Sequence, residues 1–96
     1  MRESALERKL KMAVEQAGGK CLKFNSPGMR GVPDRICLFP YMVAFVEMKA
    51  PGEPLRPLQE KCKRDFERLG FQVWVIDSEN GIKEFMDVMS KEVMPK

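Results

Sequence analysis

Between Asp34 and Lys49 the chain reads DRICLFPYMVAFVEMK, two apolar runs parted by Pro40 and Tyr41. A two-residue connection permits only a tight reversal, so the runs predict a hairpin. The second run, MVAFVEMK, is apolar on both faces. A strand with one solvated face would alternate, so this one belongs inside a sheet that is covered on both sides. A chain of 96 residues has room for one such sheet and one modest core, and a single domain over residues 1–96 is expected.

The remaining elements fall around this hairpin. From Glu3 to Ala17, Leu6, Leu10, Ala13, Val14 and Ala17 recur with helical spacing, and Gly18 and Gly19 supply a stop signal. KCLKF at 20–24 reads as a short strand, and NSPGMRGVP as a loop. After the proline-rich APGEPLRP a second helix is expected from Pro57 to Leu69, with Leu58, Cys62, Phe66 and Leu69 as its buried stripe and Gly70 ending it. FQVWVI at 71–76 makes a fourth strand, and Ser78 is placed to cap a last helix carrying Ile82, Phe85, Met86 and Met89. The order αβββαβα predicts an α/β fold, a mixed four-stranded sheet with helices on its faces.

Composition narrows the chemistry. The chain has no histidine, which excludes His-ligated zinc and Ser-His or Cys-His nucleophiles, and leaves carboxylates, lysine and hard metal ions. Cys21, Cys37 and Cys62 lie far apart within apolar patterns and read as reduced core residues. The 17 Lys and Arg against 14 Asp and Glu permit a polyanionic partner without demanding one. No apolar run approaches the roughly 20 residues that cross a bilayer, and charges fill the N-terminal segment, so a soluble cytoplasmic protein is expected.

Against that background Asp34, Glu47 and Lys49 stand out. Strand residues i and i+2 share a face, so Glu47 and Lys49 project together roughly 7 Å apart while Val46 and Met48 point the other way. Pairing within the hairpin would carry the Asp34 carboxylate beside Glu47. Two acids held this close repel unless a cation lies between them. A hard divalent ion suits two carboxylates plus a backbone carbonyl, that of Met48 being the candidate, with Lys49 at the rim to orient water and stabilise charge on a phosphate. An isolated E-x-K is ordinarily an exposed ion pair that contributes little. Here it ends a doubly apolar strand and follows a PD dipeptide.

The spacing P-D-x12-E-x-K after a glutamate-bearing helix resembles the PD-(D/E)XK nuclease superfamily, whose restriction-endonuclease-like core is αβββαβ. GVPDR, FVEMKAPGEPLRPLQ and LGFQVWVIDS are similar to the stand-alone VRR-NUC (virus-type replication-repair nuclease) family, over about residues 3–85. That resemblance implies a Mg²⁺- or Mn²⁺-dependent endonuclease without an organic cofactor, acting on branched or structured DNA such as Holliday junctions, and working as a homodimer. It matches Asp34 and Glu47 to the metal-binding acids, Lys49 to the catalytic lysine and Gln59 to the glutamine opening the second helix. The helix-borne glutamate stays open between Glu3 and Glu7. Helical spacing favours Glu3, roughly 40° from the centre of the apolar stripe against roughly 80° for Glu7, whereas ERKL at Glu7 resembles other resolvases of the superfamily.

Basic residues, joined by the hydroxyl of Ser26, mark a candidate DNA surface: Lys23 and Arg30 in the strand and loop before the PD turn, Arg35 after it, and Arg56 and Lys63 on the second helix with Lys61, Arg64 and Arg68. A helical charge run is ordinarily a solvated face, and Glu60, Asp65 and Glu67 interrupt this one. No base-reading motif is present, so recognition by DNA shape is expected. Two symmetric incisions would need two sites, which a C₂ dimer supplies, with Met86, Met89 and Met94 as a candidate interface. Flap-, nick- or end-directed cleavage is the enzymatic alternative. A non-catalytic DNA-binding module and a small structural domain are the alternatives from other classes.

Overall fold

The computed structural model describes residues 2–93, and the side chain of residue 93 lies outside the description. Three helices and four strands follow the expected order: α1 Glu3–Gln16, β1 Lys20–Lys23, β2 Arg35–Phe39, β3 Met42–Met48, α2 Pro57–Arg68, β4 Val73–Ile76 and α3 Glu79–Val93. The strands form one sheet in the order β1-β2-β3-β4. Hairpin connectivity makes β2–β3 antiparallel, and the helical crossover through α2 returns β4 parallel to β3, so the sheet is mixed. The β2–β3 reversal at Pro40 and Tyr41 puts Tyr41 at a φ of 60°, fully exposed.

β3 is central, as its doubly apolar pattern requires. One of its faces, with Ala44, Val46 and Met48, meets α1 and α3 in the main core around Leu6, Leu10, Val14, Ile82 and Phe85. Phe85 sits edge-on to Trp74 at 5.3 Å, so Trp74 is a packing residue. The other face is covered by α2 as its one helix, with Phe24 and Phe71 from the flanking segments, in a smaller aromatic cluster where Phe45 stacks edge-on to Phe66 at 5.0 Å and to Phe71 at 6.2 Å. Burying apolar area on both sides of one strand stabilises the sheet at about 25 cal/mol per Å².

α1 and α2 end alike. Gly19 and Phe71 N–H groups reach back to the carbonyls of Val14 and Phe66 across a glycine at positive φ, Gly18 and Gly70. Ser78 caps α3, its Oγ accepting the Gly81 N–H at 3.0 Å.

Several expectations are corrected. Leu58 and Leu69 are 50% and 71% exposed, because the two ends of α2 overhang the sheet and only Cys62 in its middle is fully buried. β1 and β4 are shorter than expected, by Phe24 and by Phe71 and Gln72 respectively. Met89 is buried in the core and offers no interface, whereas Met86 is half-buried against it and lines a surface groove with Ala13 and Lys83; Met94 lies outside the described residues. No helix among the described residues is long and apolar enough to cross a membrane.

Candidate active site

The register of the hairpin builds the acid pair. Arg35 pairs with Val46, so one step further out Asp34 comes level with Glu47. Asp34 is pinned from both sides: its carbonyl accepts the Phe24 N–H at 2.8 Å, and its Oδ2 accepts the Met48 N–H at 2.8 Å. Glu47 is 2% exposed, and its buried Oε1 has no hydrogen-bond partner among the described residues. Burial, then hydrogen-bond contact with the Asp34 carboxyl and its charge, push the Glu47 carboxyl up to about 8, against the opposing pull of the Lys49 ammonium. Desolvation therefore outweighs the nearby cation. The chain presents two carboxyls in contact, one of them protonated near neutrality, with an oxygen left unsatisfied.

Lys49 follows the last β3 residue and is 4% exposed, its N–H donating to the Ile76 carbonyl at 2.9 Å. That bond extends the β3–β4 pairing by one residue and fixes the side chain on the Glu47 face. Among the described residues no carboxylate lies within 4.0 Å of its ammonium. The exposed ion pair that an isolated E-x-K ordinarily makes is thus not what this one makes.

The two early glutamates separate. Burial, followed by the charges of Asp34, Glu53 and Glu7, raises the Glu3 carboxyl, which places Glu3 in the field of Asp34. Glu7 is engaged elsewhere, its Oε2 accepting Arg35 Nε at 2.7 Å. Among the described residues no three Asp, Glu, Cys or His side chains gather closely enough to cage a metal by themselves. The donor set on hand is two touching carboxyls with one unsatisfied oxygen. It fits a hard ion that keeps several waters, and does not fit a soft or fully caged metal.

Beside the acid pair lies a cleft of about 570 Å³ between the 26–31 loop and the first turn of α2, lined by Arg30, Val32, Asp34, Arg56, Pro57 and Leu58 among others. Gly31, at a φ of 84°, holds the loop there: a Cβ would run into the Leu58 carbonyl, so no other residue permits this approach. Gln59 accepts the Arg56 N–H on its Oε1 at 2.8 Å, and it lines both this cleft and a small void shared with Glu47 and Lys63. Arg30 and Arg56 are exposed, and among the described residues neither has a carboxylate within 4.0 Å.

The other predicted DNA contacts are placed differently. Arg35 is 9% exposed on the α1 face, holding Glu7 and donating to the Cys21 carbonyl at 3.5 Å; it braces α1 against the sheet and is not presented to a ligand. Lys23 is exposed and opposite Arg35 in register, hence also on the α1 face. Ser26 is half-buried at the start of the loop, its carbonyl accepting the Met29 N–H at 3.2 Å. Along α2, Lys61 pairs with Asp65 at 2.9 Å, Lys63 with Glu67 at 2.9 Å and Arg68 with Asp65 at 3.2 Å, so much of the basic run is neutralised within the helix. Glu53 escaped the sequence reading. It folds the loop after Lys49 by accepting the Ala50 N–H at 3.1 Å, and its charge acts on Glu3. An acid within the APGEP segment directly after E-x-K was the available signal.

No protein-family model matches the chain. The chain is similar to a protein named "Putative nuclease p44" from Acyrthosiphon pisum secondary endosymbiont phage 1, being 44% identical over 81 residues, which span 83% of this chain and 87% of the relative.

Proposed function

Since the chain belongs to the family of that phage protein, we infer that it is a nuclease, and specifically a Mg²⁺- or Mn²⁺-dependent endonuclease of the VRR-NUC type that cuts branched DNA. The observation that carries this reading is the Asp34–Glu47 pair with its buried, unsatisfied Oε1, next to a buried lysine. A structural domain gains nothing from two such acids in contact, and a passive binder of phosphates would not concentrate carboxyls where the backbone must lie.

Asp34 and Glu47 would hold the ion, with the Met48 carbonyl and Glu3 as further donors, directly or through water. When bound, a divalent ion supplies charge stabilisation at the phosphoryl oxygens and lowers the pKa of a water. Asp34 stays oriented through the Met48 N–H, which leaves its second oxygen for the ion. Lys49, held by strand pairing and shielded from solvent, orients the attacking water and stabilises charge growing on the phosphate. Gln59, its Oε1 occupied by the Arg56 N–H, has its amide NH₂ left to donate to a phosphate oxygen. Cleavage of four-way junctions would require two such sites, and a homodimer supplies them.

Labelled four-way, flap and linear DNA, incubated with Mg²⁺, Mn²⁺ or EDTA, tests the reading. Cleavage in either metal, abolished by EDTA and by Lys49→Ala, is expected, with the junction cut fastest. Tight binding without cuts in both metals by folded protein would overturn it in favour of a binding module.

A further inference from the structure

The cleft beside the acid pair combines features that backbone contact alone does not call for. Its rim carries two guanidiniums, Arg30 and Arg56, from segments 26 residues apart in sequence, and neither has an acidic partner among the described residues. Its wall is apolar: Val32, Pro57 and Leu58, the last half exposed although helical spacing assigns it to the core. Asp34 belongs both to this cleft and to the acid pair, so whatever fills the cleft abuts the reacting centre. A phosphate string passing over the surface would use the cations and leave the apolar wall facing charge. Its volume, about 570 Å³, lies in the range of about 300–1,000 Å³ that encloses one small organic ligand.

The geometry points to a pocket for a single unpaired nucleotide, with its base against Val32, Pro57 and Leu58 and its phosphate between Arg30 and Arg56. Guanidinium planes serve both ends of such a ligand, because they pair bidentately with phosphate and lie flat on bases. A fully paired duplex keeps its bases stacked and cannot enter. The pocket therefore makes the enzyme sense a displaced nucleotide next to the bond it cuts, which is a physical source of preference for branched substrates. This inference rests on the nuclease reading of the adjoining acids, and its test does not use cleavage.

Uniformly ¹⁵N-labelled full-length protein, in EDTA, is titrated with the dinucleotide pTpT and separately with inorganic phosphate, and amide shifts are followed. Saturable shifts clustered on Arg30, Gly31, Val32, Leu58 and Gln59 are expected. Arg30→Ala and Arg56→Ala should each weaken pTpT by about tenfold, as loss of a charge-assisted contact implies, and Leu58→Ser by several-fold. All three positions are exposed, and the spectrum itself reports folding. Shifts spread along α2 or across the basic surface would overturn the pocket. So would an identical pattern and affinity with inorganic phosphate, or an undiminished response in the double arginine variant. Metal-dependent cleavage without pTpT binding would remove the pocket and leave the nuclease standing; pTpT binding without cleavage in any metal would do the reverse.

Discussion

The two faces of β3 teach opposite lessons from adjacent residues. Ala44, Val46 and Met48 point into a closed apolar core under α1 and α3, whereas Phe45 and Glu47, and Lys49 just past the strand, point toward α2, where the cover is thin and Leu58 and Val75 stay exposed. The first face is closed by apolar packing, apart from the buried Trp74 Nε1, which finds no hydrogen-bond partner among the described residues. On the second, among the described residues, one oxygen of a buried carboxyl lacks a hydrogen-bond partner and a buried lysine lacks an acid within 4.0 Å. The pleat of one strand thus separates the packed core from the acid pair and the lysine.

The largest effect should come from breaking the closed face. Phe85→Ala, which removes a ring packed on Trp74 and Phe39, is expected to cost about 3–5 kcal/mol in urea unfolding. Cleavage by the fraction still folded should be unchanged, because Phe85 packs on Trp74, level with Val46 and hence on the face of the sheet opposite Glu47. On the open face Lys49→Ala is expected to slow cleavage by about 10²–10³-fold at saturating DNA while leaving the unfolding midpoint in place or raised. A comparable loss of stability in Lys49→Ala would erase the distinction between the faces.

Glu47→Gln sharpens the comparison because its two readouts should move in opposite directions. The folded chain holds the Glu47 carboxyl protonated up to about 8 and the unfolded chain only to about 4.5, so the folded state binds the extra proton across that window. The contribution of Glu47 to the stability of the metal-free protein is then fully present below about 4.5 and falls as pH rises through the window toward 8. Glu47→Gln should flatten that slope and raise the melting temperature at pH 8 in EDTA, while removing activity. A wild-type midpoint that climbs between pH 5.5 and 8 by the same amount in both proteins would contradict the assignment. The smallest effect belongs to the hairpin. Tyr41→Asn, which relieves a left-handed backbone in an exposed turn, should add about 0.5–1 kcal/mol with cleavage untouched.

Much of this division was legible in the chain. The double apolarity of MVAFVEMK gave the central strand, and the i, i+2 spacing gave Glu47 and Lys49 a common face opposite Val46 and Met48. Parity also explains the misplacement of Arg35: it neighbours Asp34 in sequence and so points to the other face, where Glu7 awaits it. Nearness along the chain was mistaken for nearness in space. Leu58 was misread because helical periodicity specifies which side of α2 faces inward, not how far the sheet extends beneath it. Glu53 was visible as an acid directly after E-x-K, but its effect on Glu3 depends on how the loop after Lys49 folds back, which no periodicity specifies.

Calorimetric titration of the folded protein with Mn²⁺ at several pH values bears most directly on the acid pair as an ion site. One strong site per chain is predicted, releasing close to one proton per ion bound below pH 8 and tightening by up to about tenfold per pH unit as Glu47 gives up its proton, with no binding in Glu47→Gln. Absence of heat in the wild type, or pH-independent binding that persists in Glu47→Gln, would contradict the account.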